Sequence, residues 1–232
     1  FQVWPINRIL DDIVFEAKPK EAETLTVRTL TNHVFFHRGA FRDFSEIRNL
    51  PVVMKSVKRN IGEMTDFFIT KGEQGYVGNA HKGINAKRMR LDNDPALRQT
   101  FRVFRTYDLP DGSKGLVYKK DIKPARNLPN IENLEEIEKR LITAFANYPI
   151  YGIKNGVNMT ISILPTDNPE DIFLGSYKEI RITADSVISN KVRINDFQLV
   201  FEDVQINIYD LLLNGKLILF SLKKLTPKGT IN

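Results

Sequence analysis

The residues of this chain whose types and spacing could do chemistry are two histidines, three carboxylate pairs, a run of glycines and a basic strip. His33 and His37 stand four apart, a spacing that can share a metal ion. No acidic residue or third histidine accompanies them and His81 is distant, so they read as ordinary surface or half-buried histidines. Asp11-Asp12, Asp43 with Glu46, and Asp92 with Asp94 pair no acid with a base and no nucleophile with a histidine. Solvated surface charge accounts for them, and catalysis is not expected. Gly72, Gly75, Gly78 and Gly83 lie in the stretch from Lys71 to Asp94, but the closing Gly-Lys-Ser/Thr of a phosphate loop is missing and no apolar strand feeds it. The expectation there is a mobile surface loop, not a nucleotide site. The chain has no cysteine, which excludes disulfides, thiolate zinc sites, iron-sulfur clusters and cysteine nucleophiles. No metal or cofactor is expected.

The basic strip comprises Lys82, Lys87, Arg88, Arg90, Arg98 and Arg102, with His81 and Arg105 at its ends and Phe101, Phe104 and Tyr107 interleaved. Cations for phosphates and rings for bases are what single-stranded nucleic acid would want. Alternation divides the rings between two faces instead of forming one platform, which disfavours nucleic acid. A solvated face and a face for anionic lipid remain. Residues 1–130 carry 23 Lys and Arg against 15 Asp and Glu, or +8, while 131–232 carry 11 against 13, or −2. The first half is therefore the one suited to an anionic partner.

The elements that must position these residues are written most clearly after residue 130. From Phe173 to Leu222 apolar and polar residues alternate: Ile180, Ile182 and Ala184; Val192 and Ile194; Phe197, Leu199 and Phe201; Val204, Ile206 and Ile208. A period of two predicts consecutive strands with one dry face. Ser189-Asn190, Asn195-Asp196 and Glu202-Asp203 read as the turns between them, and Asn214-Gly215 as the turn before Lys216 to Leu222. Val157, Met159, Ile161 and Ile163 predict one more strand. A cover for the dry face precedes it: Leu134, Ile137, Leu141, Ile142 and Phe145 fall at helical spacing between Asn133 and Asn147. Asn133 with Glu136 resembles a capping box, and Tyr148-Pro149 stops the helix. The fold class expected is α+β, a curved antiparallel sheet wrapped on a long amphipathic helix.

Residues 1–130 predict a more mixed region. Ile6, Ile9, Leu10 and Ile13 suggest a short helix, Glu21 to Phe36 a strand, and Phe41 to Ile69 a polar helical stretch broken at Pro51 and Gly62. Thr100 to Lys120 reads as a hairpin around Pro110-Asp-Gly-Ser. Asp121 to Asn130, with Pro124 and Pro129, is the candidate linker, which sets two domains at 1–130 and 131–232. A chain of 232 residues buries enough surface to need no covalent staple. It has no apolar run long enough to span a bilayer. Because it opens on Phe1, a signal peptide or anchor is expected to have been removed.

The order of elements from residue 134 carries a resemblance. A helix and a strand ending in proline lead to Phe173-Leu-Gly175-Ser-Tyr-Lys-Glu-Ile-Arg-Ile-Thr-Ala184, then Val192-Arg-Ile194-Asn-Asp-Phe, Val204-Gln-Ile206-Asn-Ile208 and Leu212-Leu-Asn-Gly215-Lys-Leu217. This resembles the LmeA-like family of bacterial envelope proteins, with its glycine before a strand ending in alanine. Nothing in residues 1–130 shares it. The resemblance implies phospholipid binding and a fold like the tubular lipid-binding superfamily, in which a twisted sheet wraps a long helix and leaves an apolar tunnel. On that reading the lipid-binding residues are Phe173, Ile180, Ile182, Ile194, Leu199, Phe201, Ile206 and Ile208, since each buried methylene of an acyl chain contributes roughly 0.8 kcal/mol. The expectation is a non-catalytic lipid-binding or transfer protein, extracytoplasmic or membrane-associated, with a cytoplasmic setting left open. The alternative is a structural or interaction protein whose basic half docks on an anionic partner. The same apolar residues would then serve only to cover the helix.

Overall fold

A computed structural model describes residues 3–57, 61–72, 81–126, 134–147 and 152–231. The chain divides into two compact units, Phe1–Asp121 and Ile122–Asn232, each with its own sheet. The linker candidate spans this division, and its residues 127–130 lie outside the described residues.

The first unit opens with α1 (Ile6–Ala17), which buries Ile6, Ile9, Leu10 and Ile13 as their spacing predicts. There follow β1 (Leu25–Leu30), the short β2 (Asn32–His33) and β3 (Phe36–His37), α2 (Arg38–Ile47), β4 (Val52–Lys55) and β5 (Phe67–Lys71). Then come α3 (His81–Asn93), α4 (Pro95–Thr100) and the predicted hairpin, β6 (Phe101–Asp108) with β7 (Lys114–Lys120). The sheet order is β4-β1-β5-β7-β6. β1 runs parallel to β4 and β5, and β7 antiparallel to β5 and β6. Phe67 and Ile69 join the α1 and α2 side chains in one core, while Phe68 meets Phe101 edge-on at 4.9 Å.

Two expectations for this unit fail. Phe41 to Ile69 is helical only to Ile47; 52–55 and 67–71 are strands. All five residues of β5 are buried, and a central strand covered on both faces loses the alternation that announces it. Residues 81–94 are not a loop. Ala86, Lys87, Arg88, Met89 and Leu91 favour helix intrinsically, and Asp94 then caps α4 by accepting the Ala96 N–H, with Pro95 at its first position. Gly75 and Gly78 lie outside the described residues.

The second unit comprises α5 (Leu134–Asn147), β8 (Ile153–Val157), β9 (Thr160–Pro165), a 3-10 helix (Pro169–Leu174), β10 (Ser176–Ser189), β11 (Val192–Ile206), α6 (Ile208–Asn214) and β12 (Leu219–Ile231). Its sheet is antiparallel throughout, β12-β11-β10-β8 with β9 also on β10. It curls into a half-barrel with a helix packed on it. The α+β fold class and the curved antiparallel sheet are thus present. Asn133, Tyr148 and Pro149, the expected ends of the helix, lie outside the described residues.

The strand count differs from expectation. Asn195-Asp196 and Glu202-Asp203 are not turns: both fall inside the 15-residue β11, with Asp196 at φ 49° and Asp203 at φ 46°. Each left-handed residue interrupts the pleat and shifts the alternation by one, as a bulge does. Facing pairs on β10 and β11 shift together: Tyr177 with Val204, Ile180 with Phe201, Ile182 with Leu199, Ala184 with Phe197, Val187 with Ile194. The dry face therefore survives the bends. At Asp196 the pairing with β12 also slips, between Asn195 and Gln198. The single strand expected over 156–164 is split at Asn158, also left-handed at φ 49°.

Gly175 fixes the entry into β10. It ends the 3-10 helix at φ 70°, and its carbonyl accepts the Ile206 N–H at 2.9 Å. A Cβ there would stand 2.5 Å from the Ile206 carbonyl oxygen, so both the conformation and the contact require glycine. Gly175→Ala is expected to lower stability by at least about 2 kcal/mol in a denaturant titration of the whole chain.

Candidate functional site

The dry face of the half-barrel is covered by α5, which buries Ile137, Leu141, Ala144 and Phe145. Two polar ties hold the helix. Glu138 accepts the Ile163 N–H at 2.8 Å, satisfying an edge donor of β9. Arg140 bonds Glu136 at 3.1 Å and donates to the Leu212 carbonyl of α6 at 3.3 Å. Five of the eight predicted lipid-binding residues meet on this face: Ile180, Ile182, Leu199, Phe201 and Ile206, none more than 2% exposed. Water is all but excluded from them, so side chains fill the space they line. The other three are not in this buried cluster. Ile194 faces Val187 farther along the same face and is half-buried near the start of β11. Phe173 is in the 3-10 helix, its carbonyl accepting from Ala125 N–H and its ring 5.8 Å from the Arg126 guanidinium. Ile208 is not in a strand. It begins α6, because Asn207 caps that helix by accepting the Asp210 N–H.

One residue of this face carries more chemistry than its sequence context announces. Tyr177 is 1% exposed and stands opposite Val204 on the inward side. Its hydroxyl has no hydrogen-bond partner among the described residues, and burial pushes its pKa up. A buried phenol without a partner costs roughly 1–3 kcal/mol. The available signal was a tyrosine at an inward strand position, two residues after Gly175.

Among the described residues, open cavities lie near the half-barrel. One of about 370 Å³ is lined by Asn158, Thr183, Asp185, Asp196 and Gln198 among others. Another, about 330 Å³, lies between α5 and α6 against Lys139, Arg140, Thr143 and Leu211. Neither is lined by the predicted lipid-binding residues.

In the first unit the basic strip is carried by α3, α4 and β6. Lys87 donates to the Val57 carbonyl at 3.3 Å, Arg88 to Asn85 at 2.8 Å, Arg90 pairs with Asp94 at 3.4 Å and Arg102 pairs with Asp121. Lys82 and Arg98 are exposed. Much of the strip is thus engaged within the chain. The carboxylate pairs are likewise structural: Asp11 holds Arg48 at 2.6 Å, Asp12 accepts from Tyr107 and Arg105 at 2.7 Å each, and Asp92 accepts from Tyr118 at 2.7 Å. His37 caps α2 by accepting the Gly39 N–H, and His33 lies tilted against Trp4 with centroids 4.5 Å apart. Among the described residues no three His, Asp or Glu side chains gather as metal ligands. No described helix is long and apolar enough to cross a membrane. No family model, curated protein or solved structure matches the chain.

A fully buried cation, Lys71, pairs with Asp111 at 2.6 Å. Burial works to raise the Asp111 carboxyl, but hydrogen bonds from Lys71 and Ser113 prevail and hold it at about 2 instead of 3.8. A depressed carboxyl contributes stability that is complete above its unfolded value and is lost as pH falls through its folded one. Asp111→Asn should cost about 3 kcal/mol at neutral pH, the low end for a buried pair because Asp111 is partly exposed. In urea titrations the gap between wild type and variant should shrink as pH drops from about 4 toward 2. A pH-independent gap would locate the effect elsewhere.

Proposed function

We infer that this chain is a non-catalytic phospholipid-binding or lipid-transfer protein of the bacterial cell envelope. The observation that carries this is the Tyr177 hydroxyl, buried without a partner on an otherwise apolar concave face. A lipid ester or phosphate oxygen supplies the missing acceptor, and an acyl chain matches the isoleucines and leucine around it. The face is closed by side chains, so lipid entry requires α5 to lift from the sheet, with its tie from Glu138 to Ile163 broken. Support also comes from the helix-then-curled-sheet order and from Gly175 and Ala184, the residues on which the LmeA-like resemblance rests.

A second reading is favoured by the closure itself. If the concave face is only core, the chain is an interaction protein, and exposed cations such as Lys82 and Arg98 give it salt-sensitive binding to an anionic partner. Extraction of the purified chain followed by lipid mass spectrometry separates the two. The lipid reading expects stoichiometric phospholipid in the wild type and markedly less in Tyr177→Phe, with the fold intact by circular dichroism. The core reading expects no lipid in either. Without a ligand, Tyr177→Phe leaves stability unchanged or raises it by about 1 kcal/mol, because an unsatisfied hydroxyl is removed. Wild type that neither carries phospholipid nor takes it from vesicles sinks the lipid reading.

A further inference from the structure

A two-residue hairpin loop facing water is ordinarily built from Asn, Asp or Gly, whose conformations suit the turn and whose polarity suits the solvent. The hairpin of β2 and β3 departs from this. Its strands pair Asn32 with His37 and His33 with Phe36, and its loop is Val34 and Phe35, 56% and 59% exposed. The tip is braced from below. Phe35 N–H donates to His33 Nδ1 at 3.2 Å, and Thr31 Oγ1 donates to the Phe36 carbonyl at 2.9 Å. Phe36 is fully buried and meets Phe41 edge-on at 4.9 Å. Trp4 lies alongside, half-buried, its ring 4.5 Å from His33 and 6.1 Å from Phe35. Local turn chemistry has been set aside to present two apolar side chains on a buried, hydrogen-bonded support, which is how a functional site departs from the rules of its own element.

We propose that this tip inserts into the interfacial layer of a phospholipid bilayer and anchors the first unit there. Shape favours a bilayer over a folded partner. A hairpin tip two residues wide offers no extended face to bury against a protein surface, whereas a fluid layer closes around it. The rings beneath it fit as well, since Trp4 and His33 join an apolar body to a polar edge, as side chains at head-group level do. Charge is complementary to an anionic leaflet: residues 1–121 carry 21 Lys and Arg against 15 Asp and Glu, or +6. Arg38, one residue past the hairpin, is exposed. A small apolar anchor with basic surroundings gives reversible attachment that weakens with salt. The proposal uses none of the residues of the concave face and stands apart from the lipid reading of the second unit.

Trp4 is the only tryptophan of the chain, so its fluorescence reports the contact directly. The full chain is titrated with vesicles of equal parts phosphatidylcholine and phosphatidylglycerol, and bound protein is measured by sedimentation. The expected result is a blue shift of Trp4 emission with co-sedimentation, weakened about tenfold or more in the double variant Val34→Ser, Phe35→Ser. Both side chains already face water, so the double variant should keep the wild-type circular dichroism spectrum. Phe35→Trp should bind at least as well as wild type. Equal vesicle binding by wild type and double variant overturns the proposal. So does a Trp4 spectrum that vesicles leave unchanged, which would give the tip to a protein partner while leaving the lipid extraction result to decide the second unit on its own.

Discussion

A strand keeps its apolar side chains on one side only while every residue stays extended, yet a sheet of extended residues does not curl tightly around a helix. The second unit depends on how β11 meets both demands. Asp196 and Asp203 take left-handed conformations within the strand, each bending the sheet, and the phase of alternation shifts at the same places on β10. Two errors of phase in register on both strands leave one continuous dry face. Aspartate tolerates this conformation better than the β-branched residues around it, because its short side chain can bond nearby backbone groups. The same bend brings β12 close: a Cβ at Gly229 would stand 2.4 Å from Ile194 Cγ2, so the crossing is made by the one residue without a side chain.

Closing that face leaves an uneven ledger. Ile180, Ile182, Leu199, Phe201 and Ile206 lose their water and gain packing, which is the ordinary reward of a core. Tyr177 loses water and gains no partner for its hydroxyl among the described residues. Phenylalanine would fill the same volume without that penalty, so packing alone does not account for the hydroxyl. On the lipid reading proposed above, the apolar contacts of this face would give affinity and its single polar group would fix orientation.

How much of this was legible follows from which patterns stay unique under packing. The stripe of Ile6, Ile9, Leu10 and Ile13 and that of Ile137, Leu141 and Phe145 each bury one helix face, and both helices are where their spacing puts them. The Thr100 to Lys120 hairpin was equally plain. β5 was not, because Phe67 to Lys71 is buried on both sides and has no period to read. α3 has only Leu91 among its buried hydrophobics, so its helical stripe was too thin to oppose the glycines before it. Asn-Asp and Glu-Asp pairs mark a left-handed residue as readily as a turn, and sequence does not say which. The alternation from Val204 to Ile208 runs through Asn207, whose side chain caps α6, so Ile208 reads as strand although it begins the helix. Of the candidate site, the central isoleucines and leucine were visible in the alternation; Tyr177 was hidden because its importance lies in a missing partner.

The excess charge of the first unit invites a basic docking face, but what the cations touch argues for a different division of labour. Arg28 is 2% exposed and donates to Thr65, to the Glu63 carbonyl and to the Ser56 carbonyl. It thereby ties the start of the sheet to the segment before β5. Lys71 is buried beside Asp111, and Lys87, Arg90 and Arg102 are bonded within the chain. Charges committed to internal partners organise the fold and contribute to the outside only as a diffuse field, which attracts an anionic surface without specifying an orientation on it. Orientation needs a feature that is local and projecting. In this unit the exposed local feature is apolar: the Val34-Phe35 tip, braced by Phe36 in the core and flanked by Trp4, is where the bilayer contact proposed above would take its orientation.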